Sequence, residues 1–422
     1  MNKIELLPIN KLVMDSTIEY GKEVNLNRHI PHIYDGLKPS YRKVILSGLD
    51  LENNKLTKTS KVIADTSKYT THGTDLLKDV AGVLVRWNIF DGQGIIGLTK
   101  ALDVEQDDAS PRYTEIKVNS NFRQTTKELL PLVSSTINEL GNVEPNYIPT
   151  PLPILPQFGG IGMGVGCKVV MPAFTKESML DAYLNDDPYK LVFNYGYQLL
   201  EGDLKDIWEN NSAKYKLSFP FEETNDEIIV YGNPELFKIN FKTINKLIDD
   251  GQLQMINLSH KGINKLIFKR QPNAKKLTIQ KLKDIIKTSI SQNMTFNMLV
   301  HNGESVYEIN LKDWISTTYN NYIRLLKKSN NLKIDKLNFD IEVNNNFEQV
   351  AKILVDKSNK DTYQQIADKL NIVVDIVEAI GRKSLNTLRN PAELNNDKLI
   401  EQISKLEKFN YDQHIKDIVN GK

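Results

Sequence analysis

The chain has 422 residues, 25% of them charged and 40% hydrophobic, enough for about two or three compact units that each bury a core. Basic and acidic residues number 54 and 53, and the single cysteine is Cys167, which excludes a uniformly basic histone-like protein, an internal disulfide and a cysteine zinc cluster. No apolar run approaches the roughly 20 residues that span a bilayer, and the N-terminus lacks a signal-peptide core, so the expectation is a cytoplasmic protein with no membrane partner.

Residues 1 to about 25 carry a short mixed stretch around Leu12, Val13 and Met14 that reads as an arm or a turn or two of helix. Asp35-Gly36-Leu37-Lys38-Pro39 reads as a turn, and a helix follows from Ser40 with Tyr41, Val44 and Ile45 on one face. After His72-Gly73-Thr74-Asp75, the residues Leu76, Leu77, Val80, Val83, Leu84 and Trp87 recur at helical intervals, with Thr74 or Asp75 as N-cap. Asp91-Gly92-Gln93-Gly94 reads as a glycine turn, and the alternation from Tyr113 to Val118 as a strand. Helices followed by a short sheet predict a winged-helix unit.

Prolines at 145, 149, 151, 153 and 156, then five glycines in the eight residues 159 to 166, mark a change of regime and a boundary near 150. From about 200 to 300, β-rich runs over 216–219 and 227–231 alternate with helical stretches, as in an α+β unit. Leu311, Trp314, Ile315, Thr318, Tyr322, Ile323 and Leu326 then fall at helical spacing, and long lysine- and glutamate-rich helices are predicted over about 330–357 and 395–418. Between them Val373, Ile376, Val377 and Ile380 share the apolar face of a helical knob.

Only nine of the 54 basic residues are arginine, and four of these precede residue 113. Where lysine is the default cation, an arginine marks a place where a planar fork of donors matches phosphate. Arg112 adjoins Tyr113 at the predicted start of the strand. An isolated strand tyrosine is ordinarily structural, but a phenol can attack phosphorus when a neighbouring cation stabilises the developing charge. From 261 to 287, nine basic residues, among them Lys269 and Arg270, face Asp284 alone, a local charge of +8. Such a patch is either a solvated surface or an electrostatic footprint for DNA without sequence preference. The glycine-rich stretch after 158 fits neither GxxxxGK[ST] nor GxGxxG, so it is no nucleotide loop.

Five segments occur in an order that resembles one family: Arg28-His29-Ile30-Pro31-His32-Ile33-Tyr34-Asp35-Gly36-Leu37-Lys38-Pro39-Ser40-Tyr41-Arg42-Lys43, Tyr69-Thr70-Thr71-His72-Gly73, Asp91-Gly92-Gln93-Gly94, Ala109-Ser110-Pro111-Arg112-Tyr113-Thr114-Glu115 and Gly160-Ile161-Gly162-Met163-Gly164. Together they resemble the breakage-reunion part of type IIA DNA topoisomerases, the gyrase A type, and by size most closely the medium subunit of the T-even phage enzymes. The resemblance implies an α+β multidomain chain: an N-terminal arm over 1–25, a winged-helix domain over 26–150, an α/β tower or shoulder domain over 151–325, and a coiled coil with a helical dimer gate over 326–422.

The same resemblance implies roles. Tyr113 matches the nucleophile that becomes linked to the 5′ end of a cut strand, and Arg112 would stabilise the pentacovalent phosphate. Arg28 and His72 match positions that contact the scissile phosphate or assist proton transfer. Lys38 and Arg42 match DNA-backbone contacts, on a helix that also carries Lys43 and would approach the duplex, while Lys269 and Arg270 are placed at the flanks of DNA by the charge of their segment alone. Thr70 stands where many bacterial relatives have histidine, so proton handling falls to His72 or water. Ile161 matches an isoleucine that enters a base step and bends DNA, as an apolar wedge between glycines can.

The family's metal-binding acidic module has no recognisable counterpart, since Asp103, Glu105, Asp107 and Asp108 lack its signature, and the ATPase module is missing too. The expectation is a homodimeric, DNA-cleaving subunit that receives Mg²⁺ and ATP mainly through a heteromeric partner, acts on double-stranded DNA in the cytoplasm (the host's if phage-encoded), and relaxes and decatenates without active negative supercoiling. The alternative is a non-catalytic scaffold that bends DNA and is indifferent to Tyr113.

Overall fold

A computed structural model describes residues 8–51, 55–71, 73–98, 101–103, 107–225, 227–259, 264–272, 274, 277–356, 358–384, 387–388 and 396–421. The chain forms two compact units: one runs to Tyr322 and resumes at Ile415, the other is Ile323–His414.

The first unit opens with helix α1 (Ile9–Val24), which passes into a π-helical turn, Asn25–His29. Helix α2 (Pro39–Asp50) starts on a proline, whose fixed φ suits a first helical position. It buries Val44, Ile45, Leu46 and Leu49. Gly48 lets α2 approach a strand closely, since a Cβ there would fall 2.6 Å from the Phe90 ring. Helices α3 (Thr59–Thr66) and α4 (Thr74–Arg86) follow. Gly73 occupies the N-cap of α4 without a side-chain cap bond, so neither Thr74 nor Asp75 caps it as expected; Asp75 instead lies in the first turn, where a carboxylate complements the positive helix end.

Strands β1 (Thr57–Lys58), β2 (Phe90–Gln93) and β3 (Glu115–Val118) make an antiparallel sheet in the order β1-β3-β2. Ile116, paired with both Thr57 and Gly92, is fully buried, as is Val118, so β3 alternates its faces. The strand begins two residues after Tyr113 rather than at it. Helix α5 (Ser120–Lys127) is capped by the Asn119 side chain, and the Arg123 guanidinium donates to the Leu49 and Leu51 carbonyls at the end of α2.

A hairpin of β4 (Ser135–Ile137) and β5 (Val143–Pro145) precedes the proline-rich stretch. A five-stranded sheet then runs in the order β6 (Gly160–Met163), β7 (Lys168–Met171), β14 (Ser291–Asn297), β9 (Ser212–Ser218), β8 (Gln198–Glu201). Within the glycine-rich segment, Gly160–Met163 is therefore one arm of a β-hairpin. A four-stranded sheet orders β10 (Phe221–Glu223), β11 (Glu227–Tyr231), β13 (Lys265–Arg270) and β12 (Leu253–Asn257), and β15 (Leu299–His301) pairs with β16 (Val306–Glu308).

From Leu311 to Val355 the chain is one helix of 45 residues, which joins the helical stretches read from about 311 and over about 330–357. In the second unit Val343, Phe347 and Val350 on this helix pack with Ile366, Ile376, Val377 and Ile380 from helices Tyr363–Leu370 and Val374–Gly381. Val373, expected on that face, is instead the exposed N-cap of the second short helix. Helices Asp397–Glu407 and Tyr411–Val419 end the chain. Among the described residues no helix is long and apolar enough to cross a membrane.

Candidate active site

Tyr113 sits on a turn held from both sides. Its N–H donates to the Ser110 carbonyl (2.9 Å), the Thr59 and Ser60 N–H groups donate to the Thr114 and Pro111 carbonyls (3.0 and 3.2 Å), and the buried Thr114 hydroxyl meets the Thr59 hydroxyl at 2.8 Å. Gly94, at φ +93°, lies against the Tyr113 carbonyl. The backbone is thus fixed while the phenol is 67% exposed, with the Arg112 guanidinium 4.8 Å from its ring centroid. An exposed nucleophile on a fixed turn beside a two-pronged donor can meet a phosphodiester and stabilise charge on its oxygens.

A second constellation joins segments far apart in sequence. Arg28 is exposed on the π-helical turn. The neighbouring His29 carbonyl lies against Gly162 of β6, where a Cβ would fall 2.6 Å away. Burial, then the Lys38 and Arg28 charges, push the His29 imidazole below its ordinary pKa. Lys38 donates from Nζ to the Ile161 carbonyl (2.7 Å), and burial lowers its pKa as well. The Ile161 side chain points out, 43% exposed, followed by Met163 at 66%.

The structure therefore brings Arg28, Lys38 and Ile161 together, and Arg112 with Tyr113. The family model for the A subunits of DNA gyrase and topoisomerase IV matches residues 28–421, which include every one of these side chains. The chain belongs to this gyrase A and topoisomerase IV A family. It is 29% identical over 196 residues to the DNA gyrase A subunit of Haemophilus influenzae, covering 42% of this chain and 21% of the relative. With the DNA gyrase A subunit of Thermotoga maritima the identity is 30% over 205 residues, 44% of this chain and 24% of the relative. With the DNA topoisomerase 4 A subunit of Haemophilus influenzae it is 24% over 263 residues, 55% of this chain and 34% of the relative. The matched stretches thus span between 21% and 34% of these relatives' lengths.

In this gyrase A-family chain several side chains expected at DNA are buried or engaged within the protein. Arg42 is 5% exposed: its Nε donates to Asp35 Oδ2 (2.8 Å) and its terminal nitrogen to the Leu37 carbonyl (3.2 Å), so it braces the turn before α2 rather than presenting itself to a duplex. Asp35, which no sequence signal singles out, is the centre of this staple, also accepting from the N–H groups of Leu37 and Ile148. Lys43 is half-buried. Arg270 turns inward and donates to the Leu277 and Ala274 carbonyls. Lys283 and Lys287 both pair with Glu223, at 3.3 and 2.6 Å, while Lys269 and Lys281 are exposed. The +8 patch is thus partly neutralised within the fold; Lys261, Lys275 and Lys276 lie outside the described residues, as do His72 and Glu105.

Among the described residues no three His, Cys, Asp or Glu side chains come together as a cation site. Asp103 is engaged by the Asn257 amide, and Asp108 lies against Gly82 of α4.

Proposed function

We propose that the chain is the DNA-cleaving and rejoining subunit of a type II topoisomerase, of the kind represented by the medium subunit of the T-even phage enzymes. The exposed phenol of Tyr113 on its braced turn, with Arg112 over its ring, carries this reading. The phenolic oxygen attacks a DNA phosphorus and loses its proton to His72 or water. A P–O(Tyr) bond forms at the 5′ end, and the bond to the 3′ oxygen breaks, that oxygen taking up a proton. Reversal reseals the strand without further energy input. Arg112 and Arg28 bind the phosphoryl oxygens as charge develops, and Ile161 enters a base step to bend the duplex.

In this reading residues 26–150 are a winged-helix domain, 151–325 a tower against the flanks of the DNA and 326–422 a coiled coil closing a twofold dimer. Two copies are needed to cut both strands and pass a second duplex. Divalent metal would be held mainly by a partner subunit and would supply charge neutralisation at the phosphate, and the same or another partner would supply ATP hydrolysis. Relaxed and decatenated DNA are the products.

The test incubates the chain with end-labelled duplex, Mg²⁺ and the candidate ATPase and metal-binding partner, followed by rapid denaturation. A 5′ adduct mapped to Tyr113, and lost without the partner, is the expected result. DNA that is bound and bent yet never attached to protein would overturn the cleavage reading in favour of a scaffold.

A further inference from the structure

We propose that Asn25 is a positioning residue that fastens the apolar hairpin of β6 and β7 so that Ile161, Met163 and Val165 face DNA together. The inference rests on the DNA-gate reading and adds to it a residue that touches neither phosphate nor base.

Asn25 opens the π-helical turn, 140 positions before its partner. Its Oδ1 accepts from the Val165 N–H at 2.8 Å, and its Nδ2 donates to the Val165 carbonyl at 3.0 Å. One carboxamide thereby satisfies both backbone groups of a single residue, as a neighbouring strand does. The remaining fastenings lie close by: Lys38 Nζ on the Ile161 carbonyl, the His29 carbonyl against Gly162, and the Gly164 N–H on the Cys167 carbonyl. A Cβ on Gly164 would collide with Asn25 Oδ1 and Cys167 Sγ, so both the amide and the thiol lie close against the glycine.

Held along its backbone, the hairpin turns alternate side chains outward. Ile161, Met163 and Val165 are 43%, 66% and 39% exposed, whereas Gly162 between them is buried. Exposed apolar groups of this size on a mobile hairpin would collapse onto the nearest protein surface. A wedge has to hold its direction while it separates stacked bases, and the bonds from Asn25 and Lys38 hold the strand that carries it.

Cys167 is the chain's only cysteine, so its alkylation reports opening of the hairpin without reference to DNA. Iodoacetamide labelling of the full chain and the bend angle of a doubly labelled duplex, measured by energy transfer on the complex with partner, are compared for wild type, Asn25→Ala and Asn25→Asp. Asn25→Asp keeps the size and the acceptor but sets a carboxylate oxygen against the Val165 carbonyl, and it serves should Asn25→Ala fail to fold. Both variants are expected to raise labelling about tenfold and to lower the bent fraction at least threefold, with DNA affinity changed less than about threefold. Labelling within twofold of wild type overturns the clamp. Faster labelling with unchanged bending overturns its positioning role. A wild-type complex that binds DNA without bending it overturns the DNA-gate reading, and this inference with it, and that outcome shows in the wild-type sample alone.

Discussion

The turn at 111–114 and the stretch from Asp35 to Arg42 both carry residues that resemble one family's DNA-cleavage machinery, yet they orient their charges oppositely. Arg112 and Tyr113 stand in solvent above a backbone held by Thr59 and Ser60. Asp35 is fully buried and Arg42 nearly so, joined to each other and to the Leu37 and Ile148 backbone. A buried guanidinium with a carboxylate partner and further hydrogen bonds is a structural device, because uncovering either charge leaves the other unpaired in a low dielectric. Of two arginines in segments that resemble one family, then, one stands exposed beside a tyrosine and the other holds the fold together from inside.

Substitutions in the two regions separate activity from stability. Tyr113→Phe is expected to abolish the covalent adduct while leaving urea unfolding and DNA affinity unchanged, because the hydroxyl makes no hydrogen bond among the described residues. Residual cleavage above about one part in a thousand would place the nucleophile elsewhere. Arg42→Met should do the reverse: it leaves Asp35 buried without its cation, at a cost of about 3–5 kcal/mol in urea unfolding. If Arg42→Met leaves stability unchanged and instead weakens DNA binding in a salt-dependent way, the inward assignment of Arg42 is wrong.

The helices and strands of the first unit are mostly readable because their signals are local: the proline and apolar spacing that start α2, and the alternation that makes Ile116 and Val118 core residues. Tyr113, too, is identifiable as a candidate, and only its place before the strand rather than in it requires the hydrogen bond to Ser110. Orientation is not readable. Nothing near Arg42 distinguishes it from Lys43, and what turns it inward includes the fit of Asp35 to the Ile148 amide, 113 positions away. The basic patch misleads in the same way, since Glu223, which pairs with Lys283 and Lys287, lies on β10 whereas they lie on the helix Ile279–Ser289, outside any window containing them.

Beside the Asp35–Arg42 staple, His32 and His301 meet edge to face with ring centroids 5.0 Å apart, both nearly fully buried. Each accepts a backbone N–H at Nδ1, from Tyr34 and Gly303, so the proton of each neutral ring is on Nε2. Burial first, and then the Arg42 charge, pushes both imidazoles down to about 2. The unfolded chain therefore takes up protons below the ordinary value of 6.5 that the folded chain refuses. Their contribution is intact above pH 6.5 and is lost as pH falls from there towards 2, at up to about 1.4 kcal/mol per pH unit for each histidine. His301→Asn, which can keep an acceptor for the Gly303 N–H, should roughly halve this acid slope in urea titrations between pH 6 and 4. An unchanged slope would mean that the imidazoles are not what makes this region acid-sensitive.

The smallest expected effect comes from the region that is neither fully exposed nor buried. Glu223 is held below the usual carboxylate range by hydrogen bonds from Lys287 and Lys283 in the presence of solvent. Partly exposed pairs of this kind contribute little to stability, so Glu223→Gln should leave unfolding within about 0.5 kcal/mol of wild type. Its effect belongs in binding, where two lysines no longer neutralised become available to phosphates. DNA affinity should rise about two- to threefold at low salt, and the dependence of log affinity on log salt should steepen by up to about 0.9 for each lysine that engages a phosphate. An unchanged slope would place Lys283 and Lys287 away from the duplex. The contrast with Lys269→Ala, which removes an exposed cation from β13 of the same four-stranded sheet and should flatten the slope, then decides whether that sheet contacts DNA at all.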